Sequence, residues 1–506
     1  MPAWDRAGEP HSRSRHTPDA EADGGPMPGR EREQQFRNAG HRVELQSAGL
    51  KRELRLGDLV LSQILYITGL AFIGTAGKLG SAHVMYWIPA VLLFYIPSGI
   101  VVVHLHREMP LEGGLYQWAK LRFGDLAGFL VAVNLWANAV LFVASLVSEL
   151  TSNLAYAAGP SGAWIAENKP VTLVAGALLM AGLMAVAVRG LGIAKWLHNT
   201  GGFILLLVLA GMTLLALPRW LNGSAVAAPA AFAVPAVSPL NLNLLGKMGF
   251  GAFGGLDGSA IFSGEVRDPE VARTIRRSIW LAAPSIALIY ILGTACVLAF
   301  TRPGDIDLLA PTTQALSRGS QGTALALVVA PLVAVLTISK IIATASIYYN
   351  TAIRLPMVAG WDHLLPGWLS RLHPRFKTPV GSIVCIGLAT FGLTVAGNLG
   401  VGAQETFQLL INSSFICWAL TYLTMFAIPL LARGEKPPLD VRVAAASGFL
   451  MTLLYAILSV FPIVAVRNAA SFTAKVSGVV ICINAFGALY FWREGKRRRP
   501  LNADSA

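Results

Sequence analysis

The chain has 506 residues, of which 54% are hydrophobic and only 13% charged, with a mean hydropathy of +0.58. Soluble domains carry charge at about a quarter of their positions, so this composition excludes an ordinary globular protein. The net charge of +13 does not point to nucleic acid either, because the basic residues collect in alternate loops between apolar runs, as an orientation signal does.

Residues 1–55 are polar and rich in Pro, Gly, Arg, Asp and Glu, with the two charge signs nearly balanced. Such a composition cannot bury a core, so a disordered tail is expected there. No apolar h-region follows its charges, so a secretory signal is not expected. The piece Leu50–Leu56 is expected to lie along the membrane surface.

Apolar stretches then recur at a length that crosses a bilayer. They predict an all-α polytopic membrane protein with about twelve spans in a transmembrane domain over residues 56–495. The first group, 58–217, holds spans near 58–80, 84–105, 124–150, 170–188 and 196–217. The second, 247–431, holds 247–264, 279–301, 322–351, 380–397 and 404–431; two more follow at 442–464 and 472–492, and 496–506 form a C-terminal tail. Arg107, Lys120, Arg122, Arg189, Lys195, Arg267, Arg273, Arg276, Arg277, Arg354 and Arg371 fall in alternate loops, as do Arg433, Lys436 and the Arg493–Arg499 cluster. The positive-inside rule therefore places both termini in the cytoplasm. The four cysteines, Cys296, Cys385, Cys417 and Cys482, lie dispersed in apolar spans and outline neither a disulfide framework nor a metal site.

Span six is unusual. It carries Gly249, Gly251, Gly254, Gly255 and Gly258, and Asp257 sits at membrane depth. Each glycine costs about 0.8–1 kcal/mol in a helix relative to Ala, and an unpaired acid in a bilayer about 2.5 kcal/mol or more. A helix broken near Phe253–Leu256, its freed backbone groups lining a cavity, accounts for both. The alternative is that the glycines only let helices approach closely. Gly249-x-Gly251-x-x-Gly254 matches a dinucleotide fingerprint, but the strand and soluble βαβ unit it needs are missing. Span one repeats the pattern in Tyr66–Gly80, with the break expected at Gly74-Thr75-Ala76-Gly77. Two Gly-interrupted spans, each opening a set of five, are the layout of an inverted repeat with a midplane site.

These residues resemble the amino acid–polyamine–organocation (APC) superfamily of transporters over roughly residues 55–495. The resemblance rests on Gly74–Gly77, on Glu108-Met-Pro-Leu-Glu-Gly-Gly-Leu-Tyr116, on Phe253-Gly-Gly-Leu-Asp257, on Gly264-Glu-Val-Arg-Asp-Pro269, and on Arg354 with Gly360–Pro366 and Lys377-Thr-Pro379. It implies a LeuT-type 5+5 inverted repeat with two appended helices. It also implies that backbone around Gly74, Thr75, Ala76 and Gly77 meets a substrate carboxylate, while carbonyls near Phe253, Gly254, Gly255 and Leu256 meet an amino group. A helix N-terminus welcomes an anion and a C-terminal end a cation, so the assignment suits the physics. The sequence departs from the family pattern in having Asp257 for Glu, Leu256 for an aromatic and Gly251 for a bulky gate, which is expected either to leave a roomier site or to move the gate to Phe253 or Phe250.

Span five, near His198–Met212, lacks an intramembrane Lys; span eight has Lys340 instead. Lys340 lies about fourteen residues from Arg354, hence about 20 Å deep at 1.5 Å per residue. Its ammonium is expected either to replace a sodium ion or titrate in coupling, or to pair permanently with an acid such as Asp257. Asp257, Lys340 and Glu265 are thus the coupling and gating candidates, Glu265 facing Arg267, Arg276 or Arg277. Ser339, Thr344 and Ser346 are either sodium ligands or hydroxyls bonded to their own helix. Asn134, Trp136, Asn138, Asn412, Ser413 and Ser414 either line a cavity or pack; His104 and His106 are interfacial.

The resulting expectation is secondary active transport of amino acids across the cytoplasmic membrane, proton-coupled or by exchange. The alternatives are a polyamine or organocation carrier and a non-transporting amino acid sensor. No convergent Ser/His/Asp, metal or phosphate motif appears, so neither an enzyme nor a cofactor is expected. The partners expected are a small amino acid or amine, membrane lipid, and protons or sodium, with no nucleic acid.

Overall fold

The computed structural model describes residues 54–109, 114–232, 237–258, 266–268, 270–322, 326–361, 365–399, 401–432 and 436–498. The tail before residue 54, the stretch 259–265 with Glu265, the motif residues 110–113 and most of 357–364 lie outside what can be described in side-chain detail.

Among the described residues every named element is a helix, as the span-length apolar runs predicted. The first span is two helices, α1 (Leu56–Ile67) and α2 (Leu70–Gly77), bent by 44°. Then come α3 (Gly80–Glu108), α4 (Leu115–Phe123), α5 (Asp125–Ala157), α6 (Lys169–Arg189) and α7 (Leu191–Leu221). The second group opens with α8 (Pro239–Gly246), which runs into a π-turn at Lys247–Gly251. It continues through α9 (Val271–Phe300), α10 (Pro311–Ser320), α11 (Ala326–Trp361), α12 (Val380–Gly397) and α13 (Ala403–Leu430). The last two helices are α14 (Leu439–Leu458) and α15 (Ala469–Arg498).

Among the described residues, ten helices are long and apolar enough to cross a membrane, and the α1–α2 pair makes eleven. The twelfth expected span, 247–264, is described only to Gly258. Its helical lead-in starts at Pro239, well before the expected boundary. Pro at the first helical position and the Ser238 hydroxyl accepting from the Asn241 N–H set that start.

Burial separates centre from periphery. The most apolar windows of α5 and α13 are 83% and 78% buried, against 22% for α15. The central α5 packs most extensively on α11 and α13. Elsewhere leucines, valines and aromatics such as Leu178, Phe203, Leu214 and Phe486 point outward, as a lipid-facing surface requires. On the side where the N-terminal tail enters, the Arg267 N–H donates to the Leu54 carbonyl at 2.9 Å, tying the lead into α1 to the chain beyond span six. Next to it, Asp268 accepts from the Thr274 hydroxyl at 2.7 Å and the Glu270 N–H at 2.9 Å. Those bonds hold its carboxyl below the usual range.

Gly201 and Gly202 let α7 approach two neighbours. A Cβ on Gly201 would stand 2.4 Å from the Ala343 Cβ on α11, and one on Gly202 2.8 Å from the Leu61 carbonyl oxygen on α1. The second obstacle is backbone, which cannot rotate aside. Gly202→Ala is expected to lower the melting temperature of the purified protein by an overpacking penalty of about 1–3 kcal/mol. Gly211→Ala, on the same helix with open space at its Cβ, is expected to match or exceed the wild type in the same thermal scan.

Candidate functional site

The break in the first span falls at Thr68–Gly69, both in extended backbone. It does not fall at Gly74–Gly77, which lie inside α2 and are buried. The glycines there serve close packing: a Cβ on Gly74 would come within 3.0 Å of Pro311, and one on Gly77 within 2.5 Å of Ile306. Thr75 bonds back to the Ala71 carbonyl at 3.0 Å. The helix N-terminus that welcomes an anion is therefore that of Leu70, earlier in the chain than the glycine motif indicated.

In span six the helix ends at Phe253, and Gly254 and Gly255 are irregular, as the sequence predicted. Gly255 has φ +123°, a conformation that L side chains rarely adopt. A Cβ there would also meet Ile67 at 2.9 Å and the Tyr66 ring at 3.1 Å. The two breaks thus face each other in direct contact.

Breaking a helix frees backbone donors and acceptors that lipid cannot satisfy. Three tyrosines from other helices meet them. The Tyr290 hydroxyl on α9 accepts from the Gly69 N–H at 3.0 Å and sits within donating distance of two carbonyls, Ile67 at 2.8 Å and Ala252 at 3.0 Å. Tyr348 on α11 donates to the Tyr66 carbonyl at 3.1 Å. Tyr422 on α13 accepts from the Gly255 N–H at 2.8 Å and donates to Asp257 Oδ1 at 2.5 Å. Asp257 therefore orients the tyrosine that caps the break. None of the three tyrosines was singled out from the sequence, because a tyrosine in an apolar run reads as core.

Aromatic rings surround the junction. Tyr66 stacks on Tyr348 with centroids 4.3 Å apart, and Trp418 meets Tyr66, Phe250 and Tyr422 edge-on. Phe253 stacks on Tyr95 at 4.4 Å and meets Trp87 and Tyr290 edge-on. Among the described residues, two buried donors at the junction have no hydrogen-bond partner, the Thr68 hydroxyl and the Trp418 indole N–H. A cavity of about 350 Å³ reaches Leu256 from between α3, α9 and α14. Its lining is largely apolar, with Ile96, Ile100, Ile279 and Trp280 along the wall and His104, Arg107 and Asp440 among the other lining residues.

Residues 57–486 match the sequence profile of a family described as amino acid permease. The chain belongs to the amino acid permease family. Among its relatives, an uncharacterized transporter of Legionella pneumophila is 23% identical over 76% of this chain and 82% of its own length. Another, of Mycobacterium tuberculosis, is 27% identical over 72% of this chain and 78% of its own. The methylthioribose transporter of Bacillus subtilis is 22% identical over 78% and 84% respectively. This permease is accordingly a multi-pass transporter for a small solute.

The permease keeps a second polar cluster away from the breaks. Lys340 on α11 is buried, and its electrostatic partner is Glu149 on α5, not Asp257. Glu149 was not singled out from the sequence, although an acid inside an apolar span is a functional candidate by default. Asn153, one turn on, donates to the Glu149 carbonyl at 2.9 Å and accepts from the Thr313 hydroxyl at 2.7 Å. Next to it Asp307 accepts from Ser152 at 3.3 Å and Gln404 at 2.9 Å, joining α5 to α13.

The other polar candidates divide. Ser339 bonds back to Val335, and Ser346 meets His198 and Asn350. Thr344 is buried, with no partner for its hydroxyl among the described residues. Asn138 pairs with Ser414 between α5 and α13, and Asn134 with Asn484 on α15, both as packing bonds. His106 meets the Trp118 ring edge-on, while His104 borders the lateral cavity.

Tyr290→Phe and Tyr422→Phe remove hydroxyls from buried backbone partners, a loss of about 1–3 kcal/mol each. Both variants are expected to fold with reduced thermal stability. By hydrogen exchange, the Gly69 amide is expected to lose protection in Tyr290→Phe and the Gly255 amide in Tyr422→Phe, with the other amide less affected in each case.

Proposed function

We propose that this permease moves amino acids across the cytoplasmic membrane by alternating access, with the solute held where the two broken spans meet. The observation that carries the reading is the pair of facing breaks with two buried, unpartnered donors, Thr68 and Trp418, at their junction. Such donors are costly unless a ligand supplies an acceptor. In this reading the carboxylate meets the Thr68 hydroxyl and the first amides of α2, at Leu70 and Ala71. The amino group meets carbonyls around Phe253–Leu256, and Gly74–Gly77 shape the wall behind. A 5+5 inverted repeat relates the groups 58–217 and 247–431, and both termini face the cytoplasm, in accord with the loop charges.

Glu149 and Lys340 form the coupling element of the proposal, with Asp257 and Glu265 as gate residues. A buried ammonium beside a buried carboxylate occupies the electrostatic place of a bound sodium ion, which favours proton coupling or exchange. Protonating Glu149 would free the ammonium, and that links proton uptake to the packing of α5 on α11.

The test is uptake into proteoliposomes of labelled L-amino acids, with putrescine and methylthioribose as parallel arms, under imposed pH or sodium gradients and with internal solute. Gradient-driven accumulation of an amino acid is expected. Transport of only putrescine or methylthioribose would overturn the substrate class, and saturable binding without transport would make the protein a sensor. Lys340→Met and Glu149→Gln are each expected to reduce accumulation about tenfold or more while sparing exchange. Unchanged pH and sodium dependence in both variants would remove the coupling role.

A further inference from the structure

A second buried lysine lies close to the breaks, on the far side of Tyr455. Lys247 opens the π-turn of span six and is only 4% exposed. A π-turn inserts an extra residue into the helix and frequently marks a functional position. The helix is pressed onto α14 here: a Cβ on Gly246 would meet the Tyr455 backbone at 3.1 Å, and one on Gly249 the Met451 side chain at 2.5 Å. The Lys247 ammonium lies 5.6 Å from the centroid of the Tyr455 ring. That ring packs against Phe250, and its edge would lie 3.2 Å from a Cβ on Gly251. Lys247 thus stands about one turn before the residues that lead into the break.

Its polar surroundings are incomplete. Lys247 Nζ donates to Asn412 Oδ1 at 2.8 Å. Among the described residues no carboxylate lies within 4.0 Å of it, whereas Lys340 has Glu149 for company. Among the described residues Asn412 Nδ2 is buried with no partner, as are Gln408 Oε1, one turn away on the same face of α13, and the adjacent Ser413 hydroxyl. Along α13 the nearest acid is Glu405, two turns from Asn412, or about 10 Å by helical rise. An ammonium held in a low dielectric without a counter-charge is strongly unfavourable. An amide N–H held beside it with nothing to bond has the same need, an acceptor with negative charge.

We infer that Lys247 and Asn412 form a carboxylate-binding subsite on the route to the breaks, so that this permease takes solutes bearing a carboxylate and rejects polyamines. The inference rests on the transport reading above and narrows its substrate class. The ammonium supplies the charge, Asn412 Nδ2 a second donor, and the Tyr455 ring helps hold the ammonium by a cation–π contact. The carboxylate has two sources, the α-carboxylate of any amino acid or the side chain of an acidic one.

The test is direct binding of labelled L-glutamate, L-alanine, succinate and putrescine to the purified full-length protein, in the wild type and in Lys247→Met, Lys247→Arg and Asn412→Asp. At least one carboxylate probe is expected to bind the wild type, and putrescine is not. Lys247→Met is expected to weaken that probe about ten- to hundredfold, as loss of a charge-assisted hydrogen bond does, while Lys247→Arg retains it. Asn412→Asp supplies an internal counter-ion and is expected to abolish the same binding in a protein whose lysine is intact, so a folding failure of Lys247→Met does not decide the matter. Equal losses for L-alanine and L-glutamate would assign the α-carboxylate; a loss confined to L-glutamate would assign the side chain. Putrescine binding to the wild type, no carboxylate binding to it, or wild-type carboxylate affinity in both Lys247→Met and Asn412→Asp would overturn the subsite. Lys247-dependent succinate binding without amino acid uptake would sustain the subsite and refute the amino acid reading. Amino acid uptake with Lys247-independent binding would do the reverse.

Discussion

A helix interrupted inside a bilayer must find partners for the amides and carbonyls it releases, because hydrocarbon offers none. This one requirement organises the centre of the permease. Thr68–Gly69 and Gly254–Gly255 interrupt two spans, and Tyr290, Tyr348 and Tyr422 from three further helices reach in to satisfy what the interruptions expose. Tyrosine is well suited to this, since its ring adds to an apolar core while its hydroxyl can donate and accept at once. Positioning those rings requires α9, α11 and α13 to converge on the junction, and so the surrounding bundle is built to serve the breaks.

Much of this was legible in the residues. The glycine density of span six located its break, since Gly255 occupies a conformation that only glycine adopts readily. Loop charges and apolar lengths gave the class of fold. Span one misled because glycines have two uses that look alike in sequence. Gly74 and Gly77 clear space for Pro311 and Ile306, whereas the break itself uses Thr68 and the single Gly69. Only the identity of the neighbour across the gap separates the two uses, and that neighbour lies more than two hundred residues away in the chain. The tyrosine partners were hidden for the same reason.

Buried charge follows a comparable division. Asp257 accepts a short hydrogen bond from Tyr422, and Lys340 has the charge of Glu149 nearby, so each has a partner that offsets part of its desolvation. The sequence could flag each as an intramembrane charge, but a lone charge in a span does not name its partner; Glu149 and Lys340 are far apart in the chain. Lys247 escaped notice because it stands at the edge of the apolar run, and the residues it meets, Asn412 and Tyr455, lie far away in the chain.

The Tyr290 hydroxyl has one proton and two carbonyls within reach, one on each broken span. Turning the hydroxyl about its C–O bond passes that proton from Ile67 to Ala252, and at 2.8 and 3.0 Å the bond gained resembles the bond lost. The linkage therefore works as a swivel with two nearly equivalent seats. The two half-helices share one hydroxyl as a common tether, and whichever carbonyl holds the proton, the other keeps the same oxygen within hydrogen-bond distance.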